Sequence, residues 1–451
     1  MRSNLVFALI VFAAACGGDD GNTPSPTVIP GGGITDPGID GTVHVYAIDS
    51  DTDLPIAGAT VRVGTLEGAT DATGLFTAKG DLSGPQTIAI KASGYATSLF
   101  VGADGANVTA ALDRTPEPTT EAPHAEISGT ITGWDALPAP ATDHITAALI
   151  TYSQTRELGG NDNNIEPPPS GGGLDSNVCA KIAGASPPCA WRVNARVGTV
   201  AVFATMVDIA TQGTATEADD VLTVTGFATA PNLTVVANAA QSGIALTPLA
   251  AGSTATAAVS FGTPPSGLVA TFGIVGVDLG AAGVMRVPPL APPMTTTVVP
   301  NLSAIAGSTY ELTALAQEQV TDGTAAQSIV LRRGLTTASS LAAGDWMAPP
   351  TGMWSDRATA GFNAVTGASG YAMEFETSSG SGSGNRVMNV IVLDDTIAVP
   401  LPTAFAPLPS GGLVYRVNAF DAGADFDVRD FAIDDLDDVL VRLSSETIKL
   451  N

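Results

Sequence analysis

Gly41-Thr42-Val43-His44-Val45-Tyr46-Ala47-Ile48 sets Val43, Val45 and Ala47 at every second position, with Thr42, His44 and Tyr46 between them. Successive side chains of a strand point to opposite faces, so this period of two predicts a strand with one apolar face and one mixed face. Asp49-Ser50-Asp51-Thr52-Asp53 then turns the chain, and Leu54-Pro55-Ile56-Ala57-Gly58-Ala59 leads into a second strand over Thr60–Val63. Thr70-Asp71-Ala72-Thr73-Gly74 reads as another turn before Leu75-Phe76-Thr77, and Gln86–Ala92 and Ala106–Leu112 read as further strands. Short alternating runs of this kind continue to the C-terminus, and few stretches carry a 3.6-residue apolar period. The expected class is all-β, with several β-sandwich domains in tandem.

At about 150 residues per domain, 451 residues suggest three domains. Gly 50 and Pro 31 supply the turns that such an organisation needs. Lys and Arg number 18 against 44 Asp and Glu, a net charge of −26. Such a surface repels phosphate backbones, so no nucleic-acid partner is expected.

Three pieces of the opening region form a pattern: Pro55-Ile56-x-Gly58-Ala59-x-Val61, Thr70-Asp71-x-x-Gly74-x-Phe76, and Gly94-Tyr95. On these residues the stretch 41–114 resembles the carboxypeptidase regulatory-like family, which implies a small transthyretin-like β-sandwich. In that family the module is an accessory beside the catalytic domain. Zinc carboxypeptidases hold their metal with His-x-x-Glu and a further His. The histidines here are His44, His124 and His144, and none has Glu three residues on. Near the other end stand Phe362-Asn-Ala-Val365-Thr-Gly367-Ala368-Ser-Gly-Tyr371 and Tyr415-Arg-Val417-Asn-Ala419. These resemble a fibronectin type III domain over 350–451, with Phe362 where that family usually has Trp. The acidic stretch from Asp421 to Asp438 departs from the family pattern and leaves the last strands open.

The expected organisation is a signal peptide over 1–15, a lipidated tether over 16–40 and the regulatory-like sandwich over 41–114. A Pro-rich linker over 115–124 follows. Then come a sandwich over 125–249 with a disulfide-containing insertion, a further sandwich over 250–349 that could form one unit with it, and the fibronectin-like sandwich over 350–451. Pro-rich linkers between sandwiches suggest a stiff, reaching rod.

The leader supplies the address. Leu5-Val-Phe-Ala-Leu-Ile-Val-Phe-Ala-Ala-Ala15 follows Arg2 and is about eleven residues long, against roughly 20 needed to span a bilayer. A basic start, a short apolar core and small residues before a cut describe an export signal. Ala13-Ala14-Ala15-Cys16 resembles the lipobox of bacterial lipoproteins, which implies Cys16 as the lipid attachment point; ordinary cleavage after Ala15 is the alternative. The chain has three cysteines, so a lipid on Cys16 leaves Cys179 and Cys189 to pair in an oxidising compartment. Their bridge would close a loop of about eleven residues, worth roughly 3 kcal/mol in the chain-entropy view.

Candidate chemistry is sparse. Asp49, Asp51 and Asp53 are spaced like the first ligands of a calcium loop, but Leu54 and Thr60 stand where an EF-hand wants Gly and Glu, which favours a solvated turn. Asp425, Asp427 and Asp430 form a second calcium candidate within the acidic stretch, where a solvated acidic edge is the plainer reading. His124-x-Glu126 with Pro188-Cys189 matches part of a zinc-deaminase pattern, yet Arg192 stands where the second cysteine belongs. No nucleophile elbow, P-loop or dinucleotide fingerprint is present. Trp134, Trp191, Trp346 and Trp354 are candidates for stacking on sugars, each more often a core residue.

No catalytic residue and no cofactor is expected, calcium aside. The expectation is a non-enzymatic protein of a bacterial cell envelope, held to the outer membrane by its N-terminal lipid and presenting β-sandwiches to a protein or glycan ligand, or serving a structural role. The alternatives are a carbohydrate-binding accessory of secreted hydrolases and an unrecognised hydrolase using acidic residues.

Overall fold

The computed structural model describes residues 33–50, 52, 54–115, 124–155, 177–212, 220–320, 324–377, 384–393, 397–423, 431–432 and 439–450. The first sandwich sets Asp40–Asp49, Leu75–Ser83, Gly105–Leu112 and Gly33–Gly38 in one sheet. Facing them are Thr97–Ala103, Gln86–Lys91, Thr60–Val63 and Leu66–Ala69. Val43, Val45 and Ala47, the alternating set of the first quoted strand, are buried between the sheets against Val61, Ile88, Ile90 and Phe100. The strand Gly33–Gly38 lies inside the stretch expected to be tether: its backbone pairs with Gly105–Val108, so the sheet begins earlier than the Gly- and Pro-rich composition suggests.

The sequence motifs of this sandwich interlock at one corner. Thr70 Oγ1 donates to the Ile56 carbonyl at 2.7 Å and accepts from Ala59 N–H at 2.9 Å. The Asp71 carboxylate accepts from Thr73 N–H at 2.8 Å and Leu75 N–H at 3.1 Å. Gly74 sits at φ 76°, and a β-carbon there would lie 2.7 Å from the Ala47 carbonyl oxygen. Only glycine combines that backbone with that approach.

The second sandwich packs His144–Tyr152, Val178–Ile182, Gly198–Ala210 and Val221–Val235 against His124–Ile131, Trp191–Arg196 and Gln241–Pro248. The sequence suggests two strands at 221–227 and 233–237, parted by Pro231. They are one strand: Val200 faces Leu233 and Val202 faces Ala230, so Pro231 and Asn232 are absorbed in a bulge, with Asn232 at φ 56°. The third sandwich sets Thr254–Ser260, Thr296–Pro300 and Leu341–Ala342 against Val269–Asp278, Val284–Arg286, Thr309–Gln317 and Gln327–Leu335. Its core includes Phe203 and Phe227 of the second, which joins the two. Gly283 closes that seam: Gln154 and Val284 bridge through both backbone hydrogen bonds, and a β-carbon on Gly283 would fall 2.2 Å from the Gln154 carbonyl oxygen.

The fourth sandwich sets Thr351–Ser355, Thr359–Asn363 and Ala398–Pro400 against Arg386–Val392, Gly370–Thr377, Leu413–Asp421 and Arg442–Leu450. Three strands facing four make an immunoglobulin- and fibronectin-like β-sandwich. Phe362 lies in its core 4.6 Å from the Tyr371 ring, and Phe375 stacks on Tyr415 at 4.8 Å. Arg442–Leu450 supplies the last strand that the acidic stretch had left open.

The sandwiches do not extend as a rod. Four strands each of the first, third and fourth run together as one twelve-stranded sheet. Gln327–Val330 of the third pairs antiparallel with Arg442–Ser445 of the fourth. Thr97–Val101 of the first pairs parallel with Met388–Val392 of the fourth. Both edges of the fourth sandwich's larger sheet are thereby covered, which removes the exposed backbone groups that make edge strands aggregate.

Candidate functional site

The outer face of the fourth sandwich's smaller sheet carries the most exposed large aromatic side chain of the described residues. Trp354 faces Gly361 across the hairpin, and Gly361 faces Ala398 on the next strand. Met353, Phe362, Ala360 and Val399 point inward to the core, so Trp354, Gly361, Asn363 and Ala398 share the outward face by strand alternation. A β-carbon on Gly361 would lie 2.5, 2.7 and 2.9 Å from Nε1, Cε2 and Cζ2 of Trp354. The indole therefore rests against bare backbone, and the residue is 46 % exposed.

Asn363 repeats the arrangement in the other direction. A β-carbon on Gly352 would lie 2.5 to 3.0 Å from its amide atoms, so the carboxamide rests over Gly352 while Nδ2 donates to Thr351 Oγ1 at 3.0 Å. The charged residues of the hairpin turn are tied down. Arg357 donates to the carbonyls of Pro409 and Gly411, and the Asp356 carboxylate accepts from Ala358 and Thr359 N–H.

A second surface feature lies on the second sandwich. Ile182, Ile145, Ile209 and Leu222 form a row across four strands; Ala180, Ala147, Val207 and Val224 form the next, and Val178, Leu149, Thr205 and Phe227 the third. Phe227 and Val224 pack under the third sandwich, whereas Leu149, Val178, Ile182 and Leu222 are exposed.

The remaining tryptophans are structural. Trp134 is buried, with Nε1 donating to the Pro187 carbonyl at 3.1 Å; Trp191 is buried in the same core; Trp346 donates to the Phe261 carbonyl at 2.6 Å. Cys179 and Cys189 are disulfide-bonded, with Cα atoms 5.2 Å apart, and both lie in that core. The bridge holds Val178–Ile182, a strand that the Asn- and Pro-rich composition around it had hidden. Lys181 of this strand is buried, its ammonium donating to the Leu137 carbonyl at 3.0 Å and lying 5.6 Å from the Trp134 ring.

Asp49 has other partners than a metal. Its Oδ2 accepts from the Tyr95 hydroxyl at 2.6 Å and from Arg114 Nε at 2.5 Å. Burial, then the hydrogen bond to Asp49, raises the Tyr95 hydroxyl above its ordinary value. A cation at Asp49 would have to displace an arginine. Asp51, Asp53, Asp425, Asp427, Asp430 and Cys16 lie outside the described residues. Among the described residues, no three of His, Cys, Asp and Glu are grouped to hold a metal ion. The three histidines are dispersed: His44 Nδ1 lies 3.1 Å from Thr77 Oγ1, His144 Nδ1 lies 2.7 Å from Asp208 Oδ2, and His124 sits on a strand of the second sandwich.

The most buried ion pairing among the described residues lies between the first and fourth sandwiches. Arg386 NH1 meets Asp113 Oδ2 at 2.7 Å and its NH2 stands 3.9 Å from Glu374, which also accepts from Arg416 at 3.1 Å and Asn418 at 3.1 Å. Burial works against the Arg386 charge, but Glu374 and Asp113 outweigh it and hold the guanidinium above the ordinary arginine value. Asn389 Nδ2 donates to the same Asp113 oxygen. On the core side of the same joint, Lys91 donates to the Phe405 carbonyl at 2.5 Å, and Lys91 and Arg62 lie 4.4 and 4.9 Å from the Phe405 ring. The carboxylates here are occupied in joining sandwiches.

No family model matches the chain, and no curated protein does. Among solved structures it is similar to "The Bacillus anthracis TIE protein", at 7 % identity and a TM-score of 0.14, over 67 % of this chain and 49 % of that one. The chain thus spans about half the length of that protein. It is also similar to chicken CNTN1 FN1-FN3 domains, at 10 % identity and a TM-score of 0.14, over 81 % of this chain and 94 % of that one. At those scores neither likeness adds to the topology already described.

Proposed function

We propose that this chain is an exported, lipid-anchored, non-enzymatic protein of a bacterial cell envelope, whose joined sandwiches present contact surfaces to protein or glycan. The observation that carries this reading is the cysteine arithmetic. Of three cysteines, Cys179 and Cys189 are bonded to each other, which leaves Cys16 as the one remaining thiol, directly behind an apolar run with a basic start. The interlocked corner of Ile56, Ala59, Thr70, Asp71 and Gly74 supports the carboxypeptidase regulatory-like reading of the first sandwich, because each motif residue has a structural task there. The 3 + 4 arrangement of the last sandwich supports the fibronectin type III reading.

Outer faces and loops are left for contact, since neighbouring sandwiches cover both edges of the fourth sandwich's larger sheet. The apolar rows of the second sandwich suit a protein partner. The exposed Trp354 favours a second reading, a carbohydrate-binding accessory of secreted hydrolases. The anchor is tested by fractionation. Wild type is expected in the membrane fraction, released by detergent and retained through high salt and alkaline carbonate. Cys16→Ala is expected in the soluble fraction, and a variant that stays membrane-bound would refute the lipid anchor.

A further inference from the structure

We propose that the outward face of the hairpin Thr351–Ser355 and Thr359–Asn363 binds a neutral pyranoside of a glycan chain, with Trp354 as the stacking platform and Asn363 as its hydrogen-bonding partner. This deepens the contact-surface reading above and rests on it. A pyranose with equatorial hydroxyls presents a flat patch of C–H groups on one face and hydroxyls around its rim. Binding one therefore takes a flat apolar surface with a polar group beside it. The hairpin provides both.

The Trp354 indole is backed by the Gly361 backbone and nearly half of the residue's surface is exposed, so it is already placed for stacking and little freedom remains to be lost on binding. Of the four tryptophans it is the exposed one, while Trp134 and Trp191 are buried in a core and Trp346 is half-buried against another. Asn363, two residues along the strand from Gly361, lies on the same face. Its amide offers two N–H donors and a carbonyl acceptor, of which one N–H is used by Thr351 Oγ1. The two glycines explain how both groups come so close to the sheet: each removes the side chain that would collide with the group resting against it. Any Cβ at Gly361 would collide with the indole, and any at Gly352 with the carboxamide.

The charge of the ligand follows from the same face. Trp354, Gly361, Asn363, Thr351 and Ala398 are uncharged, while Arg357 and Asp356 are turned to backbone partners. Among the described residues of this face no cation is offered to a uronate or sulfate, and the chain's net charge of −26 repels polyanions. The structure therefore selects neutral glycans over acidic ones.

The test is electrophoresis of the folded chain through native gels containing hydroxyethyl cellulose, glucomannan or xyloglucan, with polygalacturonate as the acidic comparison. Retardation by at least one neutral polymer and none by polygalacturonate is expected. Trp354→Ala should weaken the association at least about tenfold and Trp354→Phe, which keeps a ring, about threefold or less. Asn363→Ala should fall between them. An unchanged near-UV circular dichroism signal, allowing for one indole, establishes that the variants are folded. Absence of retardation in every neutral gel would overturn the proposal, and so would equal retardation of wild type and Trp354→Ala. Preference for polygalacturonate would overturn it as well. The fractionation of Cys16→Ala is independent of these gels: a lost anchor with no sugar binding would remove this site and leave the envelope reading standing.

Discussion

The two joints of the twelve-stranded sheet solve one problem with different chemistry. At the antiparallel joint between the third and fourth sandwiches, Ile329 faces Leu443, and these pack with Leu315, Leu331, Phe420 and Leu440 in an apolar cluster. The opposite side of that joint carries Ser328 and Ser444, whose hydroxyls donate to the carbonyls of Met347 and Ala348 at 2.8 and 2.9 Å. At the parallel joint between the first and fourth, Leu99 and Val101 reach into the fourth core, but the other side is ionic, with Asp113, Arg386 and Asn389 buried together. Apolar contact needs only shape, and tolerates gradual loss. Buried ions need every partner, because a charge left without its counterion in a low-dielectric interior is strongly unfavourable. The parallel joint should therefore fail abruptly, and the antiparallel one by degrees.

The largest effect is expected at Arg386. Arg386→Ala leaves Asp113 buried without its cation and deprives Glu374 of one of two arginines, a loss of about 3–5 kcal/mol. Urea unfolding followed by tryptophan emission would show it. The informative comparison is the double substitution Arg386→Met with Asp113→Leu, which removes both charges and keeps apolar volume, and which should recover most of the loss. If the double variant is as unstable as Arg386→Ala alone, packing rather than charge pairing governs this joint.

Leu443→Ala at the antiparallel joint is expected to lose about 2–4 kcal/mol, from transfer plus the cavity left behind. Here no removal of a partner restores stability, and Ile329→Ala added to it should deepen the loss. Recovery on adding the second change would put the two joints in one class.

Much of the fold was legible because it is local. Period-two alternation marked the strands from Thr42 to Ile48, from His144 to Tyr152 and from Thr309 to Leu315, and an odd number of cysteines marked the disulfide. What escaped the sequence is contact between distant edges. Asp113 and Arg386 are 273 residues apart, and neither stands in a motif, so nothing in either neighbourhood announces the pair. The expected rod failed for the same reason: composition describes linkers but not which strand edges meet. Val178–Ile182 was hidden because five residues among Asn, Pro and Gly give too short a pattern. The candidate site was half visible. Four tryptophans carried the same weight as sequence, and only the fold, which leaves Trp354 exposed against the bare backbone of Gly361, separates it from the other three.

The smallest expected effect concerns a half-buried carboxyl at the end of the apolar joint. Glu446 follows Ser445, the last residue paired there, and burial pushes its carboxyl above the ordinary range, helped by Glu318, while the Thr447 N–H acts the other way. A carboxyl whose folded value is raised takes up its proton more readily in the folded chain than in the unfolded one. At neutral pH it is ionised in both states and its burial is a net cost. As pH falls through the raised value the folded chain gains protons first and stability rises relative to a chain without the group. Below the ordinary carboxylate range both states are protonated and the penalty has gone. Glu446→Gln should therefore raise the urea midpoint slightly at pH 7, and the gain should vanish once pH drops below that range. A gain from Glu446→Gln that grew as the pH fell would mean that its carboxylate is needed as an anion, and the apolar joint would then be ionic after all.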